Sequence, residues 1–350
     1  VYLQIENNCA IKYGFIREKM KNTSALRIKI TGTGIYAPDK ILTNADLEKM
    51  VDTSDEWITT RSGIKERRIA SPEQATSDLG VEAGRRALTD AGLEAKDIDL
   101  IITATSTPDT IFPSTACWIQ SGLGADKIPA FDISAGCTGF IYGMILAESL
   151  IRSKSNKRIL LIGAELLTKF TNWKDRTTCV LFGDAAAAFV LERSNDESGM
   201  LSSYWKADGN LGEIIILPGG GSRNPATQDT LDKNLHYLHM KGNEVFKFAV
   251  KRMGEAALVT LKKAGLTKQD VSFLVAHQAN VRIVEATGRR LELPPEQVFV
   301  NIHKYGNVSV ATIPIGLHEL KEENRLKKGD IIVLDAFGAG ATWGAIVYRW

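Results

Sequence analysis

One stretch of this chain occurs twice. Ala87-Leu88-Thr89-Asp90-Ala91-Gly92-Leu93, followed by Asp97-Ile98-Asp99-Leu100-Ile101-Ile102, is echoed by Thr260-Leu261-Lys262-Lys263-Ala264-Gly265-Leu266, followed by Asp270-Val271-Ser272-Phe273-Leu274-Val275. Alanine, glycine, leucine and aspartate fall in register at a single offset of 173 residues, about half of the 350-residue chain. Each copy reads as a helix ended by glycine, a short loop and a buried strand. Alternating helices and apolar strands imply a parallel sheet with helices packed on it. Duplication implies two similar halves about a pseudo-twofold axis, so that equivalent turns meet at the centre. Looser echoes continue the pattern: the turn at Gly136-Cys137 resembles that at Gly306-Asn307, and Ala188-Phe189-Val190-Leu191 resembles the closing Ala345-Ile346-Val347-Tyr348. The expected division is an α/β half over residues 26–195 and a second over 196–350. Residues 1–25 read as an N-terminal extension, disordered or non-native, with Met20 as a candidate natural start.

Composition narrows the class. A chain with 44% hydrophobic residues can bury a large core, and a net charge of +2 argues against a dedicated nucleic-acid binder. The longest apolar runs fall short of 18 residues, so no membrane span is expected. Val1 to Ala25 lack the apolar core of a secretory signal. Cys9, Cys117, Cys137 and Cys179 show no paired spacing. That argues against a disulfide framework and a zinc site, and free thiols fit the cytoplasm.

Cys137 stands apart from the other three. It lies in Phe131-Asp132-Ile133-Ser134-Ala135-Gly136-Cys137-Thr138-Gly139-Phe140, between a short strand at Pro129–Ile133 and a helix from Phe140 to Ile151 too apolar for a surface position. A cysteine at a helix N-terminus meets unpaired N–H groups and the positive end of the dipole. This favours the thiolate and can lower its pKa from about 8.5 to roughly 3.5–7.5. Flanking glycines let a substrate approach. A packing cysteine would need neither.

Among the histidines, His277 follows the buried strand Phe273-Leu274-Val275, where α/β proteins place chemistry. His303 is its nearby rival; His236 and His239 lie in a polar stretch and His318 in a helical pattern. Tyr305-Gly306-Asn307-Val308-Ser309 stands in the place expected to be equivalent to Cys137.

With these residues in view the chain resembles the beta-ketoacyl-acyl-carrier-protein synthase III family, condensing enzymes of the thiolase-like fold, from Leu26 to Trp350. The resemblance includes Asn44 to Ile58, Phe182-Gly183-Asp184, Gly242-Asn243-Glu244-Val245-Phe246, His277-Gln278-Ala279-Asn280 and Ala336-Phe337-Gly338. It implies two duplicated α/β halves whose central sheets sandwich buried helices. It implies Cys137 as the acyl-accepting nucleophile, and His277 with Asn307 as the pair acting on the extender unit. The backbone amides of Cys137 and Ala339, in Gly338-Ala339-Gly340, would form an oxyanion site. The implied substrates are acyl-CoA and malonyl-acyl carrier protein, with no resident cofactor and no metal. Trp57 and Arg176 match the pair that stacks on the CoA adenine. Thr53, Arg61, Met240, Gly242, Phe246, Ala279, Asn280, Arg282 and Ile283 match the pantetheine tunnel. Phe112 matches a residue reaching across a homodimer into the partner's acyl pocket. Lys247, Arg282, Arg289 and Arg290 match a basic face that docks carrier protein.

Departures from the family pattern sit at Gly136 and Thr138, where many members carry alanines, at Thr177, and at Ala339, which interrupts a glycine run. Gly32-Thr33-Gly34-Ile35-Tyr36-Ala37 fits GxGxxA, but Pro38-Asp39 follows in place of a helix, so no dinucleotide site is expected. The expected activity is decarboxylating condensation at the start of fatty acid synthesis. The alternative is a relative in polyketide or quinolone metabolism. A non-decarboxylating thiolase would need a second cysteine between Gly338 and Thr342, and there is none. A dead carrier-binding subunit would be expected to lack Cys137, His277 or Asn307.

Overall fold

The computed structural model describes residues 27–350; the extension expected at 1–25 lies outside the described residues. The two copies of the repeated unit fold alike. The helices Thr76–Ala91 and Gly242–Ala264 each end on a left-handed glycine, Gly92 at φ 67° and Gly265 at φ 71°. Each is followed by a short turn braced by an aspartate: Asp97 accepts the Glu94 N–H at 2.9 Å and Asp270 accepts the Thr267 N–H at 2.7 Å. The strands Leu100–Ala104 and Phe273–Ala276 come next.

Two sheets result. The first runs Ile28–Tyr36, Asp184–Arg193, Arg158–Leu166, Leu100–Ala104, Ala130–Ile133. The second runs Gly199–Ala207, Thr342–Arg349, Ile331–Gly338, Phe273–Ala276. A lone parallel bridge from Leu274 to Val298 stands where a fifth strand would lie. The sheets are mixed, not parallel throughout. Arg158–Leu166 pairs parallel with Leu100–Ala104 but antiparallel with Asp184–Arg193, and Ile331–Gly338 pairs antiparallel with Thr342–Arg349. In the second pair the reason is connection length: Ala339 to Ala341 make a hairpin link too short for the crossover that parallel neighbours need. The strand expected at Pro129–Ile133 exists as Ala130–Ile133, but it is half-buried at the sheet edge.

The helices Gly139–Arg152 and Thr312–Glu322 lie between the sheets. One core cluster joins Phe140 and Met144 to Ile313 and Leu317, to Leu161 and Phe189 of the first sheet, and to Leu334 and Ile346 of the second. Outer helices cover the far faces, Thr76–Ala91 with Thr115–Leu123 on one side and Gly242–Ala264 with Val281–Arg290 on the other. The sequence of layers is helix, sheet, helix, sheet, helix. In Ile28–Tyr36, Gly32 and Gly34 allow contact with the helix backbone at Ala87, where an added Cβ would come within 2.3 Å. That contact accounts for the GxGxxA spacing.

Each central helix is entered through a single 3₁₀ turn, Gly136–Thr138 before one and Ser309–Ala311 before the other. Both turns open on a residue of positive φ, Gly136 at 54° and Ser309 at 46°. The position equivalent to Cys137 is therefore Val310, and Asn307 lies three residues earlier, correcting the echo expected at Gly306-Asn307.

Phe140 is fully buried and meets Phe189 edge-on, with ring centroids 5.0 Å apart. Phe140→Ala should destabilise the fold by about 3–5 kcal/mol, since the cavity cannot close between two sheets. Denaturant unfolding measures this, and a loss below about 1 kcal/mol would contradict the central packing of this helix.

Candidate functional site

A cavity of about 360 Å³ opens between the halves. Cys137, His277, Asn307 and Ala339 line it together with Ser106 and Ser309. His277 is 2% exposed and Asn307 7%, whereas Arg61, Gly242 and Arg282 on the same cavity are exposed. The cavity thus runs from an exposed mouth to a buried end.

Backbone contact places Cys137. A Cβ on Gly136 would come 2.5 Å from the Ala339 nitrogen, and a Cβ on Gly338 would come 2.5 Å from the Cys137 nitrogen. The two turns can approach this closely only because both positions are glycine. The approach sets the Cys137 and Ala339 amides side by side. Thr138 hydrogen-bonds Thr342, whose hydroxyl also reaches the carbonyls of Ala135 at 2.8 Å and Ala339 at 2.9 Å. The departures at positions 136, 138 and 339 thus form one contact region, with Gly136 lacking the side chain that Ala339 would obstruct.

His277 ends its strand with its N–H on the Asp335 carbonyl at 2.7 Å. Its Nδ1 lies 2.7 Å from the Thr312 hydroxyl, which donates to the Ser309 carbonyl at 2.9 Å. Asn307 accepts the Ser309 N–H on Oδ1 at 2.9 Å. Among the described residues nothing accepts its Nδ2 hydrogens, so they are available to the cavity. The Asn307 backbone bridges to Phe182 and donates to the Leu181 carbonyl at 2.8 Å. In Phe182-Gly183-Asp184, a Cβ on Gly183 would meet the Tyr305 carbonyl at 2.4 Å, and Asp184 accepts the N–H groups of Ala70 at 2.8 Å and Thr168 at 3.0 Å. This motif anchors Asn307 from behind. His303, the rival histidine, is outside the cavity lining.

Burial dominates the electrostatics. It pushes the Cys137 thiol up to about 12, against hydrogen bonds from Ser309 and from its own backbone. This reverses the lowered pKa expected for a cysteine at a helix N-terminus. A helix end contributes up to about 2 kcal/mol and cannot offset that much desolvation. Burial also pushes His277 down to about 3, so its imidazole is neutral. Asp335 is raised by burial too, and neither of its carboxyl oxygens has a partner among the described residues.

The outer residues divide. Met240, Gly242, Phe246 and Ile283 line the cavity wall, and Arg61, Ala279, Asn280 and Arg282 complete the lining, with Thr177. The Arg282 guanidinium lies 5.0 Å from the Phe246 ring centroid. Asn280 uses its carboxamide structurally, accepting the Arg282 N–H at 2.9 Å and donating to the Arg61 carbonyl at 2.8 Å. Thr53, Trp57 and Arg176 lie outside the lining. Trp57 is covered by Arg61 at 4.7 Å and Arg176 at 5.4 Å, and Arg176 also donates to the Asp52 carbonyl at 2.6 Å. A flat ring entering between Trp57 and Arg176 must displace that contact. The Thr53 hydroxyl is buried without a partner among the described residues. Lys247, Arg289 and Arg290 are exposed on the outer helices Gly242–Ala264 and Val281–Arg290. Phe112 is 84% exposed and Ile111 77%, away from the cavity. Ser309 and Thr312, which hold Asn307 and His277, escaped the sequence reading; their one signal is closeness in sequence to Asn307.

Helices buried between two mixed sheets, and a cysteine, a histidine and an asparagine on one cavity, define a condensing enzyme of the thiolase-like class. Residues 131–209 match the family described as 3-oxoacyl-[acyl-carrier-protein] synthase III, and residues 261–350 match its C-terminal part. A beta-ketoacyl-[acyl-carrier-protein] synthase III of Caldanaerobacter subterraneus subsp. tengcongensis is 56% identical over 321 residues, spanning 92% of this chain and 97% of that one. The crystal structure of the corresponding synthase from Aquifex aeolicus shares 49% identity with a TM-score of 0.86, covering 92% of this chain and 100% of that one. The priming beta-ketosynthase of the R1128 polyketide pathway shares 31% with a TM-score of 0.84, over 92% and 96%. The chain belongs to the beta-ketoacyl-acyl-carrier-protein synthase III family, acyltransferases that initiate fatty acid biosynthesis. No helix among the described residues is long and apolar enough to cross a membrane.

The buried imidazole makes a pH prediction. In the folded protein His277 stays neutral until about pH 3, while an unfolded histidine titrates near 6.5. Because the unfolded state binds the extra proton, this group stabilises the fold fully above pH 6.5, and its contribution falls as pH drops toward 3. The ¹⁵N signals of labelled His277 should show a neutral ring at pH 5. A protonated ring there would mean water reaches the cavity floor.

Proposed function

We propose that the protein transfers a short acyl group from acyl-CoA to Cys137 and condenses it with malonyl-acyl carrier protein, releasing CO2 and a 3-oxoacyl-acyl carrier protein. The convergence of Cys137, His277 and Asn307 on one cavity carries this reading. The Cys137 sulfur attacks the thioester carbon and CoA leaves, giving an acyl-enzyme. The Cys137 and Ala339 amides receive the oxyanion of that step. Malonyl thioester then loses CO2, and the enolate oxygen gathers negative charge. The Asn307 Nδ2 hydrogens and a neutral His277 can stabilise it, because preorganised donors in a dry site need no solvent reorganisation. For Nε2 of His277 to carry a hydrogen, Nδ1 must accept, so the Thr312 hydroxyl has to turn from the Ser309 carbonyl to the ring. The enolate carbon attacks the acyl thioester and frees Cys137.

The mouth fits both substrates. Arg61, Arg176 and Trp57 suit a nucleotide, with Thr53 beside them. Lys247, Arg282, Arg289 and Arg290 offer positive charge to an acidic carrier protein. The exposure of Ile111 and Phe112 supports a homodimer in which Phe112 enters the partner's acyl pocket. The likeness to the polyketide priming synthase supports a second reading, the same chemistry on a specialised acceptor. The greater identity to the beta-ketoacyl-[acyl-carrier-protein] synthase III of Caldanaerobacter and to the Aquifex synthase III favours the first.

Peptide mapping after incubation with radiolabelled acetyl-CoA should place the label on Cys137. Label that persists in Cys137→Ser, or that appears on Cys179, would refute the acyl-enzyme. His277→Ala and Asn307→Ala should still accept acetyl groups but release CO2 about 100–1,000-fold more slowly. Wild-type CO2 release by either variant would remove that residue from the enolate site. Arg289→Glu combined with Arg290→Glu should raise KM for malonyl-acyl carrier protein on the order of tenfold at low salt, with acetylation by acetyl-CoA unchanged. Arg289 is paired with Glu285 at 3.6 Å, an exposed pair that contributes little. An unaltered KM would place carrier-protein docking on another face.

A further inference from the structure

Glu165 is a buried acid beside the cavity that the chemistry above leaves unused. It lies near the end of the strand Arg158–Leu166 and is fully buried. Its carboxylate accepts the Ser106 N–H at 3.1 Å on each oxygen, the Thr107 hydroxyl at 2.7 Å and the Thr105 hydroxyl at 3.5 Å. Among the described residues no cation pairs with it. Carboxylates are almost never fully buried unless paired. Ser106 also lines the cavity, so the carboxyl sits immediately behind the cavity wall. Ser309 lines the same cavity as Cys137 and Ser106, at the head of the turn that stands between the Glu165 strand and the Cys137 turn. Ser309 is held at φ 46°, a conformation that side-chain-bearing residues rarely adopt and that concentrates at functional sites. Its turn packs on the strand of Glu165 and on the turn of Cys137.

From this row of side chains we infer that Glu165, acting through the Ser309 hydroxyl, is the positioning residue that takes the Cys137 proton during acylation and returns it to the departing CoA. The inference rests on the acyl-enzyme proposed for Cys137. As sulfur attacks the thioester, the S–H proton passes to Ser309 Oγ while the proton of Ser309 passes to Glu165. The sulfur electron pair forms the new C–S bond, and the C–S bond to CoA breaks. Glu165, now a neutral acid, gives its proton back through Ser309 to the CoA sulfur. CoA leaves as the thiol, and Glu165 is again a carboxylate. The buried site carries one negative charge throughout, so no second anion forms in a dry cavity.

The groups facing Glu165 are Thr105, Ser106 and Thr107 from the turn after Leu100–Ala104, the turn that opens on Ser309, and Ala185 opposite it in the sheet. Asp184 pairs with the adjacent Leu166 but turns its carboxylate to Ala70 and Thr168. Cys137 is the titratable neighbour that feels the Glu165 charge. Burial holds the carboxyl up to about 7. A relay needs it ionised, so acylation should rise with pH through that value and then level off.

The test is single-turnover acetylation by labelled acetyl-CoA between pH 5 and 10, with the label mapped each time. Wild type should show the inflection near pH 7. Glu165→Gln and Ser309→Ala should acylate about 100-fold more slowly at neutral pH, and the inflection should vanish. A charge that merely crowds the thiol predicts the reverse, since removing it in Glu165→Gln eases ionisation. Acylation as fast as wild type in either variant, or a retained inflection, overturns the relay. If Glu165→Gln does not fold, Ser309→Ala leaves the carboxylate in place and decides alone. Label found away from Cys137 in wild type would instead sink the acyl-enzyme itself.

Discussion

The helices Gly139–Arg152 and Thr312–Glu322 bury most of their residues, and covering them takes two sheets. A helix buried this way leaves its first N–H groups without water to satisfy them. Here the entering 3₁₀ turns, Gly136–Thr138 and Ser309–Ala311, come together and line the same cavity. The site is the place where two obligately buried helices begin. Its chain path is set by packing, and the polar groups there are those the packing leaves unmet.

The same burial decides the charge state. Desolvation penalises every ion at the cavity floor, which raises Cys137 and Glu165 and lowers His277. A neutral thiol at rest is inert toward stray electrophiles. A neutral imidazole suits donation to an enolate, which an imidazolium would over-stabilise as an ion pair. The difficulty moves to ionisation, and a fixed internal proton acceptor resolves it without carrying a free ion through a buried site.

Much of this architecture was legible in the chain. The glycines at 92 and 265, the aspartates at 97 and 270 and the strands after them followed from local rules, because caps and turns are local interactions. The apolar run from Phe140 announced a helix without a wet face. Other features were not legible, for stated physical reasons. The sign of the Cys137 shift depends on how much protein surrounds the sulfur, which no ten-residue window contains. The edge position of Ala130–Ile133 depends on sheet order. Asn307 was matched to the position of Cys137 because glycine preceded both, whereas the backbone equivalence runs through Gly136 and Ser309, a glycine and a serine sharing a positive φ. Ser309, Thr312 and Glu165 are ordinary residue types that acquire meaning only when strands and turns distant in sequence pack together.

Duplication followed by divergence explains why those particular residues meet. Arg158–Leu166 and Ile331–Gly338 are equivalent strands, and 173 residues separate Glu165 from Gly338 just as they separate Gly136 from Ser309. The Gly136–Thr138 turn packs on the strand ending at Gly338, and the Ser309–Ala311 turn packs on the strand carrying Glu165. Each turn thus meets the strand of the opposite half. In one crossing the strand offers glycine, and backbone comes against backbone at the Cys137 and Ala339 amides. In the other it offers a carboxylate, met by a serine at the position where the first half has glycine. A single pseudo-symmetric contact has become two different devices, one setting two backbone amides side by side on the cavity and the other placing a buried acid behind the opposite turn.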